Sequence, residues 1–186
     1  VMPQVRAYAE FDYMNDRTNS QIAPSGSFFQ GFTLKNDNPL LSQSFKDATG
    51  IAPGTDQLVY IGRRNVEGGG RQDFYTFNNF RIVLGAKGSV LDDKWDYNAW
   101  WQSGRNSMSR QYLNDFSVSR LAKAFNVVTS PTTGAPVCAS VVDGTDPLCV
   151  PYDVFHIGGV TQAALNYLQT PGMMNGYTAQ SVVGVN

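Results

Sequence analysis

Alternating apolar and polar residues predict long β-strands in this chain. In residues 4–14 the odd-numbered positions are apolar or aromatic, and the even-numbered positions are mostly polar. Residues 73–88 and 94–105 repeat this period of two, which is the period of a strand with two different faces. The turn-forming segment 89–93 lies between them. The pair is therefore predicted to form an antiparallel hairpin.

Shorter elements are predicted around this hairpin. Two further strands are expected at 58–64 and 176–185, and clustered Asn, Asp, Pro and Gly residues predict a loop over 15–57. Capping residues followed by apolar residues at helical spacing predict short helices at 39–48, 115–126 and 161–169.

The length of the hairpin strands bears on the fold class. Strands of soluble proteins average about 5–6 residues, whereas a strand that crosses a membrane needs about 9–11. We therefore predict an all-β fold, namely an antiparallel transmembrane β-barrel segment with long extracellular loops carrying short helices. The alternative is a large soluble β-sandwich, in which long strands with one polar face also occur. The residues predicted to face lipid are Phe80, Ile82, Leu84, Trp95 and Tyr97.

Composition agrees with a folded β protein and excludes other classes. Aromatic residues make up 12% of the chain and the net charge is −1, which argues against disorder. The absence of a basic excess argues against a nucleic-acid partner, because nothing is available to neutralise phosphates. No run of apolar residues is long enough for a membrane-spanning helix.

The two cysteines, Cys138 and Cys149, bracket a loop of ten residues that contains Asp-Gly and Asp-Pro turns. This arrangement favours a disulfide and hence an oxidising location. Free thiols and a zinc site are the alternatives. Zinc is disfavoured because the chain has a single histidine and no second pair of closely spaced cysteines.

No set of residues in the sequence predicts catalysis. His156 is the single histidine and lies between apolar residues, and the nucleophile motif GxSxG does not occur. Asp143, Asp146 and Asp153 lack the spacing of an EF-hand calcium loop. We therefore expect no catalytic residue, no cofactor and no metal, and we expect that the protein is not an enzyme.

One local basic cluster surrounds the triple glycine at 68–70. A phosphate-binding loop would continue with Lys and Ser or Thr and open a helix. Neither feature follows here, so a turn or hinge is predicted instead. Arg63, Arg64 and Arg71 flank the glycines, and Arg81 lies in the hairpin. These four arginines are candidates to line a polar lumen or to meet an anionic ligand or lipopolysaccharide, with the lumen favoured.

Four stretches of the chain are distinctive. They are 62–71 (GRRNVEGGGR), the hairpin from Phe80 to Tyr97, 112–121 (YLNDFSVSRL), and the cysteine region 134–152 with GAPVC, DGTDP and CVPY. Together they resemble the barrel region of the large TonB-dependent outer-membrane receptors of Gram-negative bacteria. The resemblance extends from residue 3 to about 185 and is weakest over 43–57.

The resemblance implies a fold, a location and an activity. The fold is a large antiparallel barrel in the bacterial outer membrane, with an N-terminal plug in its lumen. The activity is import of a scarce nutrient such as a siderophore, saccharide, peptide or vitamin. The implied partners are the lipid bilayer, lipopolysaccharide, the plug and other strands of the receptor, and the TonB complex, which acts through an N-terminal segment. No ligand residue of the family can be carried over to a numbered position.

The sequence departs from the complete family pattern. It has no TonB box, no plug and no terminal strand ending in an aromatic residue, so we expect a fragment that cannot transport alone. All of 1–186 is assigned to a partial barrel, and 115–172 to an extracellular excursion with two short helices and the cysteine loop. The alternative is a secreted or surface β-rich binding or structural module that self-assembles through unpaired strand edges.

Overall fold

A computed structural model describes residues 5–91 and 94–186. The chain is mostly β with antiparallel sheets, as the coarse part of the fold prediction stated. It divides into two compact units. The first, which we call the sheet unit, contains the described residues of 1–20, 73–111 and 172–186. The second, the disulfide unit, contains 21–72 and 112–171.

Eight strands and four α-helices make up the described chain. The strands are β1 Arg6–Pro24, β2 Gln30–Lys35, β3 Asp56–Ile61, β4 Gly70–Val90, β5 Trp95–Leu113, β6 Val127–Thr129, β7 Pro136–Cys138 and β8 Gly172–Val185. The helices are α1 Gln43–Thr49, α2 Val118–Phe125, α3 Ala139–Val142 and α4 Gln162–Leu168, with a 3₁₀ turn at Val66–Gly68.

The long strands form one four-stranded sheet in the order β1-β4-β5-β8. The predicted hairpin is confirmed, because β4 and β5 are neighbours in this sheet. β4 continues through Val90, and the Lys94 amide then donates to the Leu91 carbonyl at 3.3 Å, which closes a turn. Asp92 and Asp93, at the centre of the predicted turn, lie outside the described residues.

The predicted loop over 15–57 is wrong in part, because β1 runs on to Pro24. The residues of this segment favour turns by local propensity. They are extended nevertheless, because a partner strand supplies hydrogen bonds to them. Asn15 Nδ2 donates to Asn78 Oδ1 at 2.6 Å, and Ser20 Oγ donates to the Asp73 carbonyl at 3.4 Å. The same segment also contains β2 and α1, and α1 begins later than the predicted helix at 39–48.

A tyrosine that crosses three strands fixes the register of the sheet. Tyr8 of β1 lies across Gly85 of β4, where a Cβ would collide with the phenol ring. Its hydroxyl donates to Asn98 Oδ1 of β5 at 2.9 Å. A slip of one residue would turn Tyr8 to the opposite face, because successive side chains of a strand alternate in direction. The glycine is therefore required where the ring passes over the backbone.

The sheet unit has almost no core of its own. Among its described residues, Val83 alone is buried. Its strands expose large apolar side chains, including Phe11, Trp95 and Tyr177. An isolated sheet with two open faces is not expected to be stable in water, because stability requires a hydrophobic face that is packed against something.

The disulfide unit, in contrast, encloses a hydrophobic core. β2 and β3 pair antiparallel with Phe32 opposite Val59 and Leu34 opposite Gln57. The Phe32 ring packs on Phe125 of α2 with the ring centroids 4.6 Å apart. The buried residues of this cluster are Phe32, Leu34, Leu41, Ile51, Leu121, Ala124, Phe125, Cys138, Cys149, Tyr152, Ala164, Tyr167 and Leu168.

Capping side chains begin the helices where the sequence predicted them. Ser117 Oγ accepts from the Arg120 amide at the start of α2, and Thr161 Oγ1 accepts from the Ala164 amide at the start of α4. The predicted helices at 115–126 and 161–169 are thus confirmed with shorter bounds. Each cap satisfies an amide that the first turn of the helix leaves without a partner.

The predicted disulfide is present and belongs to the core. Cys138 and Cys149 are bonded with their Cα atoms 6.0 Å apart. Both sulfur-bearing residues are buried, with Cys138 at the end of β7, which pairs with β6. The bond therefore ties the 139–148 loop to the strand pair beside α2.

We expect that removal of this disulfide destabilises the disulfide unit by about 3 kcal/mol, because the crosslink limits the freedom of the unfolded chain. The measurement is a denaturant titration of oxidised protein and of the variant C138A/C149A, followed by near-ultraviolet circular dichroism. Oxidised protein carried through the same handling is the control. Equal unfolding midpoints would show that the crosslink adds nothing to the packing already present.

Candidate functional site

Side-chain contacts between strands define two faces of the four-stranded sheet. Arg81, Tyr8, Asn98 and Trp100 belong to one face, because Tyr8 reaches Asn98 and the Trp100 ring lies over Gly184. We call this the polar face; it holds the even-numbered residues of β1, β5 and β8 and the odd-numbered residues of β4. The remaining residues of these strands form the apolar face, because side chains alternate along a strand.

Arg81 is the centre of the polar face. Its Nη2 lies 3.0 Å from Glu10 Oε2, and its Nε lies 2.8 Å from Asp12 Oδ2, so it joins β4 to two positions of β1. All three side chains are well exposed, which means that the pairs add little stability. Their arrangement matters for another reason: they place three charged groups together in the middle of one face of the sheet.

An open groove of about 380 Å³ lies beside Arg81. Its walls include Asn79, Gln102, Thr178 and Gln180, from β4, β5 and β8. These side chains supply amide and hydroxyl groups that both donate and accept hydrogen bonds. The polar face can therefore contact water or a polar surface over three strands.

The apolar face carries the five residues predicted to face lipid. Phe80, Leu84 and Trp95 are exposed, and Ile82 and Tyr97 are half-buried. By strand alternation all five lie on the same face, as do the exposed Phe11 and Val183 of the two outer strands. Few polar contacts interrupt this face, one of which is the bond from Trp101 Nε1 to Ser181 Oγ at 2.9 Å.

Arginine and asparagine residues border the apolar face on the side away from the 91–94 turn. The Arg105 guanidinium lies 3.9 Å from the centre of the Tyr177 ring, and the Tyr13 hydroxyl donates to Asn78 Oδ1 at 3.5 Å. The face is therefore bounded by aromatic side chains with polar partners at this end. Trp95 lies at the other end, next to the turn.

The four predicted arginines do not share one environment. Arg81 lies in the sheet unit, whereas Arg63, Arg64 and Arg71 belong to the disulfide unit. Arg64 and Arg71 lie beside the ring of Phe28, at 5.5 and 5.6 Å from its centre. The local cluster that the sequence suggested is thus divided between Arg63, which forms an ion pair, and the exposed Arg64 with the half-buried Arg71.

Arg63 is held inside the disulfide unit. Its Nη1 donates to Glu67 Oε2 and to the Tyr152 hydroxyl, each at 3.1 Å, and that hydroxyl donates to Asn65 Oδ1 at 3.1 Å. The Glu67 carboxylate raises the pKa of Arg63, and the Arg63 guanidinium lowers the pKa of Glu67. Asn65 and Tyr152 are buried, so this network satisfies polar groups inside the unit.

The three aspartates considered for calcium are engaged separately. Asp143 accepts from Thr145, Asp146 pairs with Lys123 at 2.9 Å, and Asp153 contacts His156 Nδ1 at 2.9 Å. Within 5–91 and 94–186, no group of three or more His, Cys, Asp or Glu side chains is arranged to hold a metal ion.

Sequence analysis missed several partners in these sites. Glu10 and Asp12 carry no local signal that they meet Arg81, some 70 residues away, although their even-numbered places on β1 do put them on one face. Tyr152 stands in the cysteine region without a motif that marks it as a hydrogen-bond partner of Arg63. In both cases the partner is set by long-range packing.

Comparison with known proteins adds no assignment. No protein-family model, no curated protein and no solved structure matches the chain. Across the described part of the chain, none of the helices has the length and apolar character needed to cross a membrane.

A tyrosine in the disulfide unit should make its stability sensitive to alkaline pH. Burial, together with the bond from its hydroxyl to Asp146 Oδ2 at 2.9 Å, raises the pKa of Tyr167 to about 12. A raised pKa favours the protonated form in the folded state. The stabilisation is therefore complete below about pH 10, the value for an unperturbed tyrosine, and is lost as pH rises towards 12.

We expect Y167F to lower the free energy of unfolding at pH 7 by about 1 kcal/mol, because the variant loses that hydrogen bond. Between pH 10 and 12, the free energy of unfolding should fall less in Y167F than in the wild type. Denaturant titrations across this range test the expectation, with Y60F as the control because Tyr60 is exposed. A parallel decline of wild type and Y167F would contradict it.

Proposed function

We propose that this chain is a segment of a TonB-dependent outer-membrane transporter that imports a scarce nutrient: a siderophore, saccharide, peptide or vitamin. The observation that carries the proposal is the sheet unit, in which the large exposed apolar side chains lie mainly on one face and the Arg81 ion pairs on the other. A β-barrel in a membrane needs this division, with lipid outside and a polar lumen inside.

The extent of the apolar face supports the same proposal. On β4 it runs from Phe80 to Val90, and on β5 from Trp95 to Arg105, so that each strand spans eleven residues over this distance and places six of them on the face. A membrane-crossing strand needs about 9–11 residues. Trp95 at one border and Tyr177 at the other match the aromatic girdles of such barrels.

The open edges of the sheet define the partners in this proposal. β1 and β8 are the outer strands of the four, and nearly all of their side chains are exposed. Further strands of the receptor would pair with them, the plug would meet the polar face, and lipids with lipopolysaccharide would cover the apolar face. The TonB complex would act through an N-terminal segment, and the location is the bacterial outer membrane.

A single arginine on each face tests the proposal in the full-length polypeptide. We expect I82R to reduce the amount in the outer-membrane fraction strongly, since arginine at the middle of the bilayer costs about 2–4 kcal/mol on the lipid face of a barrel. The matched control is Q102R, because Gln102 lines the groove on the polar face. The measurement is membrane fractionation with a test of heat-modifiable migration. Normal assembly of I82R, or equal loss in both variants, would overturn the proposal.

A second candidate function is a secreted or surface binding module that self-assembles. The observation that favours it is the exposure of β1 and β8, whose unpaired edges can recruit other strands. Such a module would be purified without detergent at an intact mass near 20.4 kDa, and it would form larger particles with rising concentration. A polypeptide several times heavier that requires detergent would favour the transporter instead.

A further inference from the structure

Two arginines of the disulfide unit are held at one place on its surface. Arg64 Nη1 donates to the Pro24 carbonyl at 3.0 Å, and Arg71 Nε donates to the Ala23 carbonyl at 3.1 Å. The two guanidinium groups are therefore held by the carbonyls of consecutive residues. Both also lie against the ring of Phe28, which fixes them further through cation–π contact.

The triple glycine explains how the chain brings these arginines together. Gly69 has a φ of 73°, and a Cβ on Gly70 would collide with the Gln21 side chain and the Ile22 carbonyl. The backbone at 68–70 therefore passes directly against the end of β1, where larger residues would not fit. Arg71 is the next residue along the chain, and it binds the carbonyl of Ala23, which precedes the Pro24 that holds Arg64.

Phe28 and Phe29 are the central residues of a tight turn, which the bond from the Gln30 amide to the Ser27 carbonyl closes at 2.9 Å. Their φ values are 38° and 59°, as a turn with two left-handed central residues requires. Phe28 is 48% exposed. The turn therefore holds the Phe28 ring at the surface, beside the two guanidinium groups.

The two positive charges have no counter-ion within the described residues. No ion pair joins Arg64 or Arg71 to a carboxylate, and the acids nearest to them in sequence are engaged elsewhere: Glu67 pairs with Arg63, and Asp73 pairs with Arg110. A guanidinium has five N–H donors. One donor of each group makes the described bond to a carbonyl, so most donors of both groups are free to bind a ligand.

We propose that Arg64 and Arg71 form a binding site for a doubly charged oxyanion, namely a phosphate or sulfate group. Two guanidinium groups beside one aromatic ring match such a group in charge, and their planar donor sets match its oxygens. The site lies within the disulfide unit. It goes beyond the transport proposal and does not depend on whether the sheet unit crosses a membrane.

The phosphate can be free or part of a lipid headgroup, and the probes separate these sources. The full chain in detergent micelles is titrated with inorganic phosphate, followed by calorimetry, and separately with micelles that contain a phosphatidic acid. Free phosphate should bind more tightly at pH 8 than at pH 5, because it is mainly a dianion at pH 8 and a monoanion at pH 5. If phosphatidic acid binds and inorganic phosphate does not, the site is assigned to a lipid headgroup. This result still supports the proposal, provided that lipid binding depends on both arginines.

The variant R64Q/R71Q should weaken binding at least tenfold. R64K/R71K, which keeps the charge but loses the planar donors, should weaken it to a smaller degree. The matched control is R17Q/K46Q, which removes two positive charges elsewhere, and it should bind as the wild type does. Near-ultraviolet circular dichroism and the intact Cys138–Cys149 bond verify folding of each variant.

Three results would overturn the proposal. They are no binding of either probe to the wild type, equal affinity of the wild type and R64Q/R71Q, and an equal loss in R17Q/K46Q. The last result would show that total charge, not this pair of arginines, attracts the anion. Because the variants leave Ile82 and the apolar face unchanged, failure here does not bear on the membrane proposal.

Discussion

The exposure of large apolar side chains on the four-stranded sheet is the constraint from which the rest of the molecule follows. Val83 is the single buried side chain among the described residues of the sheet unit. Apolar area in water is unfavourable at about 25 cal/mol per Å², so the apolar face gains stability wherever it is removed from water. The opposite face, with Arg81, Glu10 and Asp12, requires water or a polar surface. The two faces thus favour different surroundings. The register that Tyr8 sets by lying over Gly85 keeps the apolar and the charged side chains on opposite faces.

The disulfide unit follows a different physical logic. It buries Phe32, Phe125 and Tyr152 around one centre and closes its outer loop with a covalent bond. Asn38, which is buried in this unit, is hydrogen-bonded on both sides: its Nδ2 donates to the Phe125 carbonyl at 3.0 Å and its Oδ1 accepts from the Leu40 amide. Gln30 Oε1, Asn126 Oδ1 and Ser140 Oγ, in contrast, are buried without a hydrogen-bond partner. This unit has a hydrophobic core of its own, whereas Val83 is the single buried residue among the described residues of the sheet unit.

The segment 62–71 shows how a short stretch serves several purposes. Gly62 lies beneath the Phe29 ring, and Arg63 joins the internal network with Glu67 and Tyr152. Arg64 and Arg71 meanwhile face outward beside Phe28. Neighbouring arginines with the same chemistry therefore have opposite roles, one satisfied inside the unit and two available at the surface.

Elements whose signal is local could be predicted from the residues alone. The alternation of 73–88 and 94–105 predicted the hairpin because period two is a property of the extended backbone, and Ser117 and Thr161 marked helix starts because a cap acts within three residues. The closeness of Cys138 and Cys149 was sufficient to predict their bond. Three features became visible in the folded chain alone: β1 continues past residue 14, Arg81 pairs with Glu10 and Asp12, and Arg63 has other partners than Arg64 and Arg71. In each of these cases the deciding partner lies far away in sequence, and its position depends on strand order and burial rather than on neighbouring residues.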